Sequence, residues 1–211
     1  MISKQVQEKG ILAKLLQKGI KILLKKECKQ IGQLKIDILA SSLQIIKGII
    51  PKINIWARDI NYKDLLFDEI ELKAKGIKVI FNIKDKQLNI ENDFSIQFKI
   101  ALSENSLQTF LFSNSWNWIG DIISKGIISE GKLEQIKIIN DQIFLKESRD
   151  KNTLNEGTKV EIKVLKGKLY LINKALKKTI KIPVEDKVYI RNVNIENNLI
   201  IIKADSSVSF N

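Results

Sequence analysis

The sequence predicts an α+β fold in which a curved, mainly antiparallel β-sheet packs on a long N-terminal helix, with one or two short helices in mid-chain. Three observations support this: helical spacing of apolar residues near the N-terminus, a period of two over most of the remainder, and a break in that period over residues 102–126. We expect residues 1–33 to form the amphipathic helix and residues 34–211 the β-rich part of one single domain, because 211 residues suffice for one buried core.

The first helix is predicted from Lys4 to Lys29, with Gly32 as its stop. Its apolar residues recur at nearly helical spacing, and lysines fill most of the opposite side. Two interpretations of the apolar stripe stay open: it packs against the sheet, which we favour, or it lies in the headgroup layer of a membrane. The residues that would contact lipid in the second case are Ile11, Leu12, Leu15, Leu16, Ile20 and Leu23.

Strands are predicted from Leu34 onward, where apolar and charged residues alternate. Apolar residues occupy even positions from Ile70 to Ala74 and odd positions after Gly76. We expect a bulge or kink at Gly76, because an uncorrected slip of one residue would turn the apolar set towards solvent. Another strand covers Phe94 to Ile100.

The break in alternation predicts the short helices. Ser103 is the expected N-cap of the first, and Ser115 the expected cap of a second that carries Trp116 and Trp118. Residues two apart cannot share one helical face, so at least one of these tryptophans should be exposed. Together they are candidates for an anchor at the membrane interface.

Strands resume at Lys132, and three pairs of residues are predicted to form hairpin turns. The pairs are Asn140-Asp141, Lys166-Gly167 and Asn197-Asn198. Residues 148–157 form the most polar stretch, which we interpret as a mobile loop inside one domain.

The formal net charge is +12, and lysine supplies nearly all of it. Such a surplus favours polyanionic partners, either nucleic acid or anionic lipid. The codon usage of an AT-rich genome is an equally good explanation of the lysine content. Only Arg58, Arg149 and Arg191 are arginines. This argues against sequence-specific nucleic-acid binding, which relies on the bidentate contacts of arginine.

Several kinds of chemistry are excluded by composition. The chain has no histidine, and Cys28 is its only cysteine. Ser-His-Asp and Cys-His catalysis, an intrachain disulfide and a cysteine-held metal centre are therefore impossible. A group of acidic residues alternates with apolar ones, as a solvated strand face does: Asp59, Asp64, Asp68, Glu69 and Glu71. We expect no enzymatic activity, no cofactor and no metal site.

The N-terminal region gives no indication of export. Lysines interrupt its apolar positions, unlike the core of a secretory signal, and no stretch of about 18 uncharged apolar residues exists to span a membrane. We expect the mature protein to begin here and to stay in the cytoplasm.

Three stretches resemble the LmeA-like phospholipid-binding proteins, formerly a domain of unknown function. Residues 41–83 resemble the early part of that family, with IIKGIIPKINI, ARDINYKDLLFDEIEL and GIKVIFNI. IALSENSLQTFLFSNSW is similar to a family strand followed by a capped helix, and IPVEDKVYIRNVNIENNLIIIKADSSVSF to the closing strand pair. The resemblance covers most of the chain from about Leu34. It implies a curved sheet associated with a helix, affinity for phospholipid, and no catalytic residues.

We therefore expect a peripheral lipid-binding protein that holds or contacts phospholipid or fatty-acyl chains at the cytoplasmic face of an anionic membrane. An apolar groove between helix and sheet would be bordered by Trp116 and Trp118. Its lining strand residues would be Ile77, Val79, Phe81, Phe94, Ile96 and Phe98. The alternative is a non-enzymatic interaction or scaffold protein that docks an acidic protein partner through its lysine-rich face. A nonspecific nucleic-acid binder ranks last, since few aromatics alternate with lysines.

Overall fold

The structure, a computed structural model, describes residues 10–82, 87–128, 131–148 and 157–209. Within these ranges lie four helices and twelve strands. The helices are α1 (Ile11–Glu27), α2 (Ser42–Ile46), α3 (Glu104–Leu111) and α4 (Asn117–Ile127). The strands are β1 (Gln30–Leu39), β2 (Ile49–Tyr62), β3 (Leu65–Asn82), β4 (Gln87–Ile90), β5 (Phe94–Leu102), β6 (Leu133–Ile139), β7 (Gln142–Glu147), β8 (Thr158–Leu165), β9 (Lys168–Asn173), β10 (Lys178–Ile182), β11 (Val188–Glu196) and β12 (Leu199–Val208).

The strands form two sheets in which neighbours pair antiparallel. The seven-stranded sheet has the order β1-β2-β3-β5-β12-β11, and β4 pairs with β3 beside it. The five-stranded sheet has the order β10-β9-β8-β7-β6. The predicted α+β fold, with its antiparallel strands, N-terminal helix and short mid-chain helices, is confirmed. Because β12 returns to pair with β5 and β11 pairs with β12, both halves of the chain build the larger sheet.

Helix α1 packs on the end of the seven-stranded sheet that begins with β1. Leu16, Ile20 and Leu24 contact a hydrophobic cluster, here called the α1 cluster. Its buried members are Ile36, Ile38, Ile50, Ile53, Ala74, Ile77 and Val79. The favoured interpretation, packing of the stripe against the sheet, therefore describes one side of α1.

The end of α1 differs from the prediction. The helix stops at Glu27, Cys28 is extended, and β1 begins at Gln30, while residues 4–9 lie outside the described part of the chain. Gly32, the expected stop, is a strand residue. A Cβ atom there would lie 2.9 Å from Asp59 Oδ2, so the glycine allows β1 to approach β2 closely.

Helix α2 was not predicted, although its signal is present in the sequence. The Ser41 hydroxyl accepts a hydrogen bond from the Gln44 N–H (3.2 Å), and the Gln44 side chain accepts one from the Ser41 N–H (2.8 Å). This reciprocal pair is a capping box, recognisable as Ser-x-x-Gln.

The kink predicted at Gly76 is confirmed. Its φ is +69°, and buried positions change from Ala74 to Ile77 across it. The register between β2 and β3 continues unchanged through Gly76, with Ile53 paired to Ala74 and Ile50 paired to Ile77. The buried positions of β2 therefore shift by one residue opposite the same point. On the other edge of β3 the Asn92 side chain accepts from the Lys78 N–H (2.7 Å) and donates to the Gly76 carbonyl (2.9 Å). It bridges the break between the β4 and β5 pairings.

All three predicted hairpin turns are confirmed, and both residues of each pair have positive φ. A fourth turn of this kind, Lys63-Asp64 between β2 and β3, was not predicted. Of the predicted mobile loop, residues 149–156 lie outside the described part of the chain.

Candidate functional site

The larger hydrophobic core joins the two sheets and the mid-chain helices. Its buried residues come from β6 to β9, from β11 and β12, and from α3 and α4. Side chains from the same face of a strand recur at every second position, as Ile143 and Leu145 do in β7. In α4 the four-residue spacing of Ile119 and Ile123 places both on one side of the helix.

This core borders a cavity of about 620 Å³ that is partly open to solvent. Among the described residues that line it, Glu185 is the only one with an ionisable side chain. The seven-stranded sheet contributes Leu65, Leu66, Phe67, Ile100, Leu102, Ile200 and Ile202 to the lining. Helices α3 and α4 with their connection contribute Leu107, Phe110, Leu111, Trp116, Trp118, Ile119 and Ile123. The five-stranded sheet and the residues after it contribute Ile136, Ile143, Leu145, Ile162, Leu169, Leu171, Ile182, Pro183, Val184 and Glu185.

Three lining residues are exposed to solvent, and we call them the rim: Trp118, Pro183 and Glu185. Trp118 is 41% exposed, whereas Trp116 is half-buried. This confirms the prediction that at least one of the two tryptophans is exposed. The ring centroids of Trp116 and Phe110 are 5.7 Å apart, and those of Trp116 and Trp118 are 6.4 Å apart. These aromatic contacts join α3 to the start of α4 beside the cavity.

The β2–β3 hairpin is attached to the residues before α4 by two hydrogen bonds. Trp116 Nε1 donates to the Lys63 carbonyl (2.8 Å), and Ser115 Oγ donates to Asp64 Oδ2 (3.1 Å). The prediction that Ser115 caps α4 is therefore wrong: α4 begins at Asn117 without a side-chain cap, and the Ser115 hydroxyl bonds the hairpin.

Asp64 also binds the segment after α1. Lys29 Nζ donates to Asp64 Oδ1 at 2.6 Å. The hydrogen bond from Lys29, with a smaller contribution from Ser115, lowers the pKa of the Asp64 carboxyl. One carboxylate thus joins the α1–β1 segment, the β2–β3 turn and the α4 entry.

Lys63 supplies a positive charge in the β2–β3 turn, where its carbonyl accepts the Trp116 hydrogen bond. Tyr62 raises the pKa of the Lys63 ammonium by hydrogen bonding and by charge, and Glu27 and Glu185 add smaller electrostatic contributions. The cavity has an apolar interior and charged groups of both signs at this side.

Helix α3 is attached across the edge strand of the five-stranded sheet. The Ile138 N–H donates to Glu104 Oε2 (2.8 Å), and the Ile136 N–H donates to Gln108 Oε1 (2.9 Å). The two side chains accept hydrogen bonds from backbone N–H groups of the edge strand β6, which would otherwise have no strand partner. Ser103 caps the helix as predicted, accepting from the Ser106 N–H (3.3 Å).

The predicted site residues divide between three places. Trp116 and Trp118 line the cavity. The expected groove strands need correction: Ile77 and Val79 are buried in the α1 cluster, and Phe94 and Ile96 pack against it. Phe98 packs against the larger core without lining the cavity, and the side chain of Phe81 is outside the described part of the structure.

The helix residues predicted to contact lipid are also divided. Ile11, Leu15 and Leu23 are exposed, and Leu12, Leu16 and Ile20 are half-buried. Among the described lining residues of the cavity, none belongs to α1. The part of β3 that lines the cavity is its start, Leu65 to Phe67, whereas Ile77 and Val79 near its end lie in the α1 cluster.

Glu69 and Glu71 of β3 form ion pairs on the polar face of the sheet. Arg58 Nε lies 3.0 Å from Glu69 Oε2, and Lys99 Nζ lies 2.8 Å from Glu71 Oε1. The hydrogen bond to Glu71 raises the pKa of Lys99. In the described ranges, no three Cys, Asp or Glu side chains are grouped so as to hold a metal ion.

Comparisons with models of protein families, with curated proteins and with solved structures find no match to this chain. In the described part of the chain, none of the helices combines the length and the apolar character needed to cross a bilayer.

Proposed function

We propose that this chain is a non-enzymatic lipid-binding protein that holds a fatty-acyl chain in the cavity between its two sheets. The observation that supports the proposal is the cavity itself, about 620 Å³ with Glu185 as the one ionisable residue among its described lining. Its volume falls within the range of small-ligand sites, roughly 300–1,000 Å³. Hydrocarbon is the ligand chemistry that such a lining accepts without leaving a buried polar group unpaired.

The energetics favour measurable binding. Each methylene moved from water into an apolar site contributes about 0.8 kcal/mol, so about ten methylenes contribute roughly 8 kcal/mol before the cost of immobilising the chain. A total of about −8 kcal/mol corresponds to a Kd near 1 μM. Because immobilising the chain subtracts from this total, we expect ten buried methylenes to bind no more tightly than about 1 μM.

The polar end of the ligand would lie at the rim. Trp118 is an amphipathic side chain suited to the boundary between apolar and wet surroundings, and Lys63 offers a cation for a carboxylate or phosphate. The net charge of +12 favours anionic lipid, and the cytoplasmic face of a membrane is where anionic lipid is concentrated. The resemblance to the LmeA-like phospholipid-binding proteins agrees with this proposal.

A matched pair of substitutions in β8 tests the cavity. Ile162 and Val164 lie two residues apart, and both are half-buried and pack against the larger core, but only Ile162 lines the cavity. Ile162→Trp narrows the cavity and should weaken the binding of a fluorescent fatty acid by about tenfold, whereas Val164→Trp should leave it close to wild type.

Native mass spectrometry of the purified protein supplies the second measurement, a co-purifying lipid that is lost in Ile162→Trp. Uptake of neither fatty acid nor phospholipid by the folded wild-type protein would overturn the proposal. It would leave docking of an acidic protein partner as the better account.

A further inference from the structure

An exposed apolar surface that is separate from the cavity lies where β1 ends and β2 begins in the seven-stranded sheet. It is formed by α2 and by the strand ends around it, and we call it the α2 patch. Leu43 and Ile46 of α2 are 62% and 69% exposed. The other exposed members are Leu39, Ile49 and Ile80.

The α2 patch extends onto the start of α1. Helices α1 and α2 are in contact, and a Cβ atom on Gly10 would lie 2.6 Å from Ser42 Oγ. This proximity brings Ile11, which is 78% exposed, beside α2, and Leu15, which is 59% exposed, follows Ile11 one turn later in α1. On the other side the Val79 N–H donates to the Gly48 carbonyl (2.8 Å), which joins the end of β3 to the α2–β2 turn. The exposed aliphatic residues thus belong to neighbouring elements.

Lysines surround this surface. Lys47 follows α2, Lys52 pairs with Leu39, Lys78 pairs with Ile49, and Lys14 precedes Leu15 in α1. In the adjoining β4–β5 connection the described acidic residues are Glu91 and Asp93. Among the described residues named around the α2 patch, four lysines stand against two carboxylates, so positive charge is in excess.

The composition of the patch distinguishes between two kinds of partner. Protein interfaces are enriched in aromatic residues and arginine and depleted in lysine. The described patch consists of leucine and isoleucine with lysine around it. Aliphatic side chains that enter an interface beside lysines that reach phosphates are the features of peripheral membrane contact.

We propose that the α2 patch docks this protein on the surface of an anionic bilayer. This site is separate from the cavity and goes beyond the proposed function. Leu65 at the cavity and Ile80 at the patch lie fifteen residues apart in β3. At about 3.3 Å per residue, a docked protein holds its cavity up to about 50 Å from the docking surface.

Vesicle flotation tests the site with phosphatidylcholine alone and with phosphatidylcholine mixed with phosphatidylglycerol. The wild type should bind only the mixed vesicles. Leu43→Glu with Ile46→Glu should reduce that binding by about tenfold or more. The matched control is Leu165→Glu with Leu176→Glu, which should bind as wild type. Leu165 ends β8 and Leu176 lies in the β9–β10 turn, and they are 50% and 44% exposed.

The charge component is tested in the same assay. Lys47→Gln with Lys78→Gln should lower binding and its sensitivity to salt, whereas Lys166→Gln with Lys177→Gln should lower it less. Ile46→Trp should show a blue-shifted emission on mixed vesicles, together with quenching by brominated acyl chains.

Two results would overturn the proposal. One is equal flotation of wild type and the α2 double variant. The other is absence of wild-type flotation. If sedimentation then shows a wild-type dimer that the double variant abolishes, a second copy of the chain covers the patch instead of a bilayer. Uptake of a soluble fluorescent fatty acid without vesicles reports on the cavity alone. It should be unchanged in the α2 variants, so failure of one proposal is distinguishable from failure of the other.

Discussion

Asp141 and Asn198 exchange hydrogen bonds between two hairpin turns that belong to different sheets. The Asn198 N–H donates to Asp141 Oδ1 (2.7 Å), and the Asp141 N–H donates to Asn198 Oδ1 (3.2 Å). The two residues are 57 positions apart in the chain. Each turn uses a residue type that tolerates positive φ, and the same short side chain then bonds the other turn. The pair holds one end of β6 and β7 against one end of β11 and β12.

A double-mutant cycle with Asp141→Gly and Asn198→Gly should measure this coupling. Glycine removes the side chain but keeps the positive φ at little cost, so the loss reports the hydrogen bonds. We expect a coupling free energy of about 1 kcal/mol in chemical denaturation. Asn197→Gly is the control, because Asn197 has the same φ region in the same turn and should show no coupling to Asp141. Additive single effects at positions 141 and 198 would contradict the role assigned to the pair.

The fold was largely predictable because local rules determine its elements. The alternation of apolar and charged residues predicted the strands. The residue pairs 140–141, 166–167 and 197–198 predicted three turns, because the residue types at such positions determine hairpin turns. The turn at Lys63-Asp64 was missed because lysine is an uncommon residue at positive φ. Helix α2 was missed although Ser41 and Gln44 carry a capping signal.

The cavity was less predictable. The two tryptophans were expected to border it, but its other lining residues depend on which strands face each other. That arrangement follows from long-range pairing, such as Ile202 with Ile100, which alternation within a single strand does not encode. The same alternation describes Ile77 under α1 and Ile162 at the cavity, so the sequence pattern cannot separate them.

Trp116→Phe should loosen the hairpin beside the cavity. Phenylalanine keeps an aromatic ring near Phe110 but loses the Nε1 donor to the Lys63 carbonyl. We expect a loss of about 1 kcal/mol in the free energy of unfolding and faster release of a bound fatty acid in stopped-flow fluorescence. Trp118→Phe, at the rim, should change stability less. Equal effects of the two substitutions would argue against a specific role of the Nε1 hydrogen bond.

The Asp64 carboxyl should titrate below its usual value of 3.8. Because its folded pKa is lowered, the stabilisation it contributes is complete above the unfolded pKa and is lost as pH falls through the folded pKa. The loss is therefore confined to pH values below about 4. Lys29→Gln should return the pKa of Asp64 towards 3.8 in an NMR titration, and Ser115→Ala should do so by less. Lys25→Gln is the charge control, and an equal shift in that variant would mean that general charge, not the hydrogen bond, sets the pKa.

Gly76→Ala and Gly19→Ala should change stability in opposite directions. A Cβ atom at either position meets nothing within 4 Å, so steric overlap contributes to neither effect. At Gly76, φ of +69° strains alanine, and we expect a loss of roughly 1–2 kcal/mol. At Gly19, inside α1, alanine should raise the free energy of unfolding by about 1 kcal/mol. Gly76→Asn should lose less than Gly76→Ala, and an alanine variant as stable as wild type would show that the kink relaxes.

Glu185→Gln should increase the affinity for fatty acids but not for fatty alcohols. Glu185 is the ionisable residue among the described cavity lining, and its carboxylate repels a fatty-acid carboxylate held at the rim. Exposed charge pairs contribute about 0.2–1 kcal/mol, so affinity for the acid should rise by up to about fivefold and the gain should diminish in high salt. Asp186→Asn is the matched control, because Asp186 is the next residue, lies 3.5 Å from Lys168 Nζ and does not line the cavity. An equal gain with the alcohol, or with Asp186→Asn, would mean that the polar end of the ligand does not lie beside Glu185.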